Sequence, residues 1–234
     1  MLFRSPYPAL HLFAWRSITL MMLGRWDEAV ATFYRALEAW NDAGRHAAGY
    51  GFRGFVAGLD IGRARGDARL AGAAIEVMES IMARFAMSNS IHLIHAYIRG
   101  ESGLTANDPF LVQAEGTVGR ISLEGVERRV SLACDHREEI PKEVLEQGLE
   151  RAARVRFPLL EAQIRRARGI AYGDATELSR AIEIWERSGV VPQLGRAKAE
   201  RGLINGDAAE TDAGLAILKK LGDVDYVDRF AARV

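Results

Sequence analysis

Three groupings in this 234-residue sequence bring together side chains that can do chemistry. His92 and His95 stand three apart, which puts both imidazoles on one face of a helix, a geometry that suits a metal ion. A zinc site needs three or four converging ligands. No cysteine and no second His-x-x-His pair joins these two, and the next acid, Glu101, lies beyond Gly100. We read them as two histidines on a helix face and expect no metal and no cofactor.

Cys134-Asp135-His136 sets a thiol, a carboxylate and an imidazole side by side. A nucleophilic triad converges in space from different segments, so sequence neighbours seldom form one. The expectation is an inert thiol at a loop or helix end. No G-x-x-x-x-G-K-[ST] phosphate loop, nucleophile elbow or dinucleotide loop occurs, and we read the chain as no enzyme.

The third grouping is a run of arginines, Arg151, Arg154, Arg156, Arg165, Arg166 and Arg168. Glu143, Glu146, Glu150 and Glu161 partly neutralise it. Glu150 precedes Arg154 by four residues and Glu161 precedes Arg165 by four, the spacing of ordinary helix-surface pairs. The run reads as a solvated face whose other use is contact with an acidic peptide. Arg151, Arg154, Arg165, Arg166 and Arg168 are the candidate partner-binding residues.

The elements that must position these groups belong to an ordinary globular chain, 49% hydrophobic and 26% charged. Basic and acidic residues number 31 each, and a net charge of zero argues against a dedicated nucleic-acid binder. Cys134 is the single cysteine, so no intrachain disulfide forms and a reducing compartment is expected. Residues 6–23 are apolar but hold His11, Arg16, Ser17, Thr19 and two prolines, which makes neither a membrane span nor a signal peptide. The expected location is the cytoplasm, with no membrane partner. Only four of the 31 basic residues are lysine, which points to a GC-rich, bacterial genome. Leu2-Phe3-Arg4-Ser5 is also what a common sequencing-adapter end encodes. We expect the native sequence to begin near Pro6, as a fragment of a larger protein, and leave residues 1–5 out of the fold reasoning.

Internal repeats give the architecture. Gly-Asp-Ala occurs at residues 66–68, 173–175 and 206–208, the last two 33 residues apart. The same offset superposes Arg168-Gly169 on Arg201-Gly202, Glu177 on Glu210, Ile184 on Ile217 and Gly189 on Gly222, while Pro158 and Pro192 lie 34 apart. The unit is a helical hairpin. Proline opens its first helix, where the missing N–H is harmless. Gly173 closes that helix, Asp174 caps the next, and Glu177 three residues on suggests a capping box. Leu178, Ala181, Ile182 and Trp185 then form one apolar stripe.

An earlier unit, Gly24-Arg25-Trp26-Asp27-Glu28-Ala29 followed by Phe33 and Ala36, resembles the second half of a tetratricopeptide repeat. Gly66-Asp67 with Ala71 and Ile75 keeps the frame without the aromatic, and Leu178 and Thr211 stand at the alanine position of the later units. The closing proline of the family is replaced after Trp40 by Asn41-Asp42-Ala43-Gly44. Residues 181–186, 199–210 and 218–222 are similar to the helical-repeat tail of large bacterial signalling proteins. Those proteins carry a class III adenylate/guanylate cyclase domain or a winged-helix regulator beside a nucleoside triphosphatase.

The resemblance implies an all-α fold, a right-handed superhelix of antiparallel helix hairpins forming one domain over residues 1–234. Hairpins are expected from residues 9–23 with 25–41, and from 46–65 with 67–85. Further helices are expected at 89–100, 141–155 and 158–172. Residues 104–140 break the frame, with a helix start at Asp108-Pro109 and glycines at 116, 119 and 125. Gly49, Gly51, Gly54, Gly58 and Gly62 weaken one helix but permit close packing. Phe13, Trp15, Trp26, Phe33, Tyr34, Trp40, Tyr50, Phe52 and Phe55 are expected between hairpins, Phe33 fully buried. The implied function is a non-catalytic scaffold that binds a peptide or partner protein. The alternative is a regulatory tail for an attached cyclase or transcription regulator. The first helix should leave Leu10, Leu12, Phe13, Trp15, Ile18 and Met22 partly uncovered and drive self-association through the N-terminal hairpin.

Overall fold

A computed structural model describes residues 7–45, 52–84, 91–106, 108 and 116–233. Of residues 7, 52–54, 84, 91–94 and 116–123 it describes the backbone alone. The described residues form helices and no strand, so the fold is all-α. The helices are α1 (Tyr7–Met22), α2 (Trp26–Asp42), α3 (Phe52–Arg65), α4 (Ala68–Arg84), α5 (Ile91–Arg99) and α6 (Gly116–His136). They continue with α7 (Lys142–Val155), α8 (Pro158–Tyr172), α9 (Ala175–Ser188), α10 (Val191–Asn205), α11 (Ala208–Leu221) and α12 (Val224–Ala231). No described helix is long and apolar enough to cross a membrane.

The chain groups into two compact units. One comprises Met1–Met87 with Ile217–Val234, and the other comprises Ser88–Ala216. In the first unit α1 pairs with α2, and α3 with α4. Phe33 sits at its centre, fully buried as the Ala29-x3-Phe33-x2-Ala36 spacing predicts. Its ring meets Phe55 edge-on at 5.9 Å, and Trp40 meets Phe55 at 6.3 Å. Gly58 makes this packing possible, because a Cβ there would lie 2.5 Å from the Phe33 ring. Gly49 and Gly51 lie outside the described residues, as does the placement of Tyr50 and of the Phe52 side chain. Leu10 and Ile18 of α1 are buried, against expectation. They face inward in the α1–α2 hairpin, which leaves Leu12 (68% exposed) and Trp15 (40%) outside.

In the second unit α8 packs on α6, α7 and α9, and α9 on α10. Its apolar core runs from Val126 and Val130 through Val144 and Leu145 to Phe157, Leu160 and Ile164. Residues 116–136 form one long helix in spite of their glycines. Pro109 lies outside the described residues. Asp108 does not stand as a surface cap but is buried against Arg129, whose Nη2 is 2.8 and 2.7 Å from its two carboxylate oxygens.

The 33-residue repeat is visible as geometry. Gly173 and Gly206 end α8 and α10 in the left-handed conformation, φ 64° and 68°, which is open to glycine without strain. One turn earlier, a Cβ on Gly169 would lie 2.6 Å from Leu178, and one on Gly202 would lie 2.5 Å from the Thr211 backbone nitrogen. In the first unit Gly62 stands in the same relation to Ala71, at 2.6 Å from its backbone nitrogen. A side-chain-free position on one helix thus faces the same register of the next in all three hairpins. Asp174 caps α9 by accepting from Thr176 N at 2.8 Å, as predicted. The capping box is not formed. The Asp174 N–H already donates to the Gly169 carbonyl at 2.9 Å, so Glu177 turns away to the arginines.

Candidate functional site

The predicted arginine face separates into two environments. Arg154 is exposed and Arg151 half-buried on α7. On α8, Arg165 donates from Nε to Glu161 Oε1 at 2.9 Å and from Nη1 to Glu177 Oε2 at 2.8 Å. Arg168 approaches Glu177 Oε1 at 3.5 Å and keeps 36% of its side chain exposed, and Arg180 reaches the same oxygen at 4.0 Å. One nearly buried carboxylate therefore gathers three guanidinium groups. Burial works against the charge on Arg165, but its hydrogen bonds to Glu161 and Glu177 hold its pKa above the usual value. The arrangement repeats one unit later, where Arg201 pairs with Glu210. Arg168 with Glu177 and Arg201 with Glu210 are related by the same 33 residues as the glycines.

Arg166 departs from the predicted surface. It is completely buried, at 0% exposure, and it organises a network inside the second unit. Its Nε donates to Glu200 Oε2 at 2.8 Å and its Nη2 to Glu200 Oε1 at 2.7 Å, a bidentate pair. The same Nη2 is 2.6 Å from Asp135 Oδ1, and Nη1 donates to Gln193 Oε1 at 3.3 Å. Asp135 Oδ2 in turn accepts from Arg196 Nη1 at 2.7 Å. Gln193 Nε2 donates to Ser131 Oγ at 3.0 Å. The reason lies in helical period. Arg166 stands four residues after Ala162 and three before Gly169, all on the inward face of α8, and those small residues leave room for its long side chain. A buried guanidinium is tolerated only when paired, and two carboxylates meet this one.

The network holds two cations and two anions, so it is neutral. It ties α6, α8 and α10 together through side chains that sequence inspection assigned to other roles or did not single out. Burial alone would raise the Asp135 pKa, but Arg196 and Arg166 override it and hold the carboxyl below its usual range. Burial likewise disfavours the charge on Arg166, yet Glu200 and Asp135 raise its pKa well above the ordinary value.

The Cys134-Asp135-His136 run does not converge. Asp135 faces the arginines, while His136 Nδ1 lies 3.7 Å from Glu138 Oε1. Cys134 is buried, accepts a long 3.7 Å contact from Gln163 Nε2, and its thiol is pushed up to about 12 by burial. A thiol so protonated is a poor nucleophile. The His92 side chain lies outside the described residues, so its pairing with His95 is not described. Among the described residues no three His, Cys, Asp or Glu side chains group to hold a metal ion.

Two signals in the sequence point to the buried network. Arg166 and Glu200 each follow a proline of the first helical turn, Pro158 and Pro192, by eight residues, which puts them one position apart in the 33-residue register of consecutive units. Arg166 also interrupts a row of small residues rather than a polar row. Comparison with protein-family models, with curated proteins and with solved structures finds no match for this chain.

Proposed function

We propose that the protein is a non-catalytic interaction scaffold of the tetratricopeptide type. In this reading its antiparallel hairpins follow the right-handed stacking of that family, and an acidic peptide segment binds to the outer arginines of α7 and α8. The observation that carries this reading is the repeated hairpin: Gly169 against Leu178 and Gly202 against Thr211, each with its arginine–glutamate pair alongside. Repeats of this kind fix a backbone and leave the outer side chains to specify a partner. Arg154 is exposed and Arg168 keeps 36% of its side chain exposed beside Glu177, while Arg151 and Arg165 are half-buried. Arg166 is excluded from the surface by its burial, so the recognition role rests on the other four.

The test is titration of the full chain with a fluorescent peptide rich in aspartate and glutamate. Binding in the micromolar range, about −8 kcal/mol, is expected, and it should weaken as salt screens the exposed charges. Arg154→Glu with Arg168→Glu should lower the affinity by about tenfold or more. Equal binding by the charge-reversed chain would remove the arginine face from the function.

A further inference from the structure

The helix α12 is eight residues long, too short to keep helical order on its own. It is ordered by docking against α3 within the first unit. Its inward face carries Tyr226 and Phe230, four residues apart, with rings stacked at 6.0 Å and both side chains buried. Its outward face carries Asp225 and Arg229, which pair at 2.8 Å. Asp223 begins the helix by accepting from Tyr226 N at 3.2 Å. The segment therefore has the form of an amphipathic helical ligand, with two aromatic anchors behind an acidic cap.

Arg65, the last residue of α3, fastens the end of α11 just before this segment. Its Nε and Nη2 donate to the Leu221 carbonyl at 3.1 and 3.0 Å, at the end of α11. Its Nη1 is 2.8 Å from Asp27 Oδ1, and the guanidinium lies 5.6 Å over the Trp26 ring. Asp27 and Trp26 open α2, so a single cation spans three helices. The next residue, Gly222, has φ 76°, a backbone state in which glycine pivots without strain. Release of α12 about Gly222 thus uncovers the Tyr226 and Phe230 rings and leaves the Arg65–Leu221 bonds in place as a fixed edge of the site.

We propose that the α3 face beneath α12 is a helix-docking surface, and that α12 is its built-in, displaceable occupant. The partner it fits is an amphipathic helix with an aromatic pair at i and i+4, an acidic N-cap, and a helix-end carbonyl just before that cap for Arg65 to meet. The proposal extends the scaffold reading, resting on it only in supposing that a partner exists, and its surface is separate from the arginine face.

The test uses the full chain, hydrogen exchange, and a labelled peptide of residues 217–233 added in trans. Amides of 224–231 should exchange about tenfold faster than those of 52–65, because α12 opens locally. The peptide should bind the Tyr226→Ser/Phe230→Ser chain about tenfold more tightly than the unaltered chain, since an occupied site lowers apparent affinity by the fraction that is open. The same peptide with both aromatics replaced by serine should not bind. Arg65→Gln leaves both aromatic anchors in place. It removes the contact to the helix-end carbonyl and should lower peptide affinity, while Phe230→Ser alone should raise it in the same direction as the double variant and decides the matter if the double variant does not fold. Exchange of 224–231 only together with 52–65, or absence of peptide binding to both serine-substituted chains, would overturn the proposal and make α12 a fixed part of the core. Binding of this peptide without binding of the acidic probe would retain the proposal and reject the arginine face. The reverse result would do the opposite.

Discussion

The guanidinium of Arg166 and the carboxylate of Glu200 face each other in a bidentate pair, 2.8 and 2.7 Å, with both side chains withdrawn from water. They come from neighbouring places in consecutive hairpins, 34 residues apart, so the contact that joins α8 to α10 is also a contact between repeats. Removing one partner leaves the other as an uncompensated buried charge. Arg166→Ala should therefore destabilise the chain by about 3–5 kcal/mol. Arg166→Met with Glu200→Met should cost less than either single change, because no charge is stranded. Urea denaturation of the four variants checks this; a double variant weaker than both of its singles would refute the account.

Acid should weaken the same network through Asp135. Its folded-state pKa is depressed by Arg196 and Arg166, so the unfolded chain takes up the proton more readily. The stabilisation is present above the unfolded value of about 4 and is lost as pH falls through the folded one. Stability measured between pH 6 and pH 3 should fall less steeply for Asp135→Asn than for the unaltered chain, though the variant starts lower. Parallel curves would mean that Asp135 does not carry the acid sensitivity.

Cys134 should resist alkylation in the native state. Burial lifts its pKa to about 12, so the thiolate is almost absent at neutral pH. Iodoacetamide at pH 8 should label the chain only after denaturant unfolds it. Rapid labelling of the folded chain would show that the thiol is accessible.

Phe33→Ala should cost about 3–5 kcal/mol, since the ring is fully buried between α2 and α3. A loss under about 1 kcal/mol would mean that the surrounding rings collapse into the space without penalty.

Glycine-to-alanine changes should split by position. At Gly202 the added carbon meets Thr211 N and Oγ1 at 2.5 Å, so backbone has to move and stability falls. At Gly72, inside α4, nothing lies within 4 Å, and alanine should add about 0.5–1 kcal/mol from helix propensity alone. Thermal melts of the two variants should shift in opposite directions.

Much of this helical framework is legible in the residues. Pro158 at the start of α8, Gly173 at its end and the Asp174 cap fall where local chemistry puts them, because each acts on the backbone within a few residues. The Gly24–Glu38 pattern likewise identifies the hairpin of α1 with α2 and the burial of Phe33 and Ala36. The long helix α6 is hidden by its glycines, whose propensity is overruled by tertiary packing of Val126, Val130 and Cys134. Arg166 was legible as a cation but not as a buried one, since its partners Asp135 and Glu200 lie 31 and 34 residues away. Local pairing rules reach four residues and say nothing of such distances. The docking of α12 on α3 is invisible for the same reason.

The first unit is assembled from two stretches separated by the whole of the second. Synthesis runs from the N-terminus, so Ser88–Ala216 leave the ribosome before the last pieces of the unit that begins the chain. Helices α1 to α4 must therefore wait, their α3 face bare and Arg65 without the Leu221 carbonyl, until residues 217–231 emerge. The second unit can complete its core in that interval, and the first is the one that passes through a period of exposure to chaperones, proteases and other nascent chains.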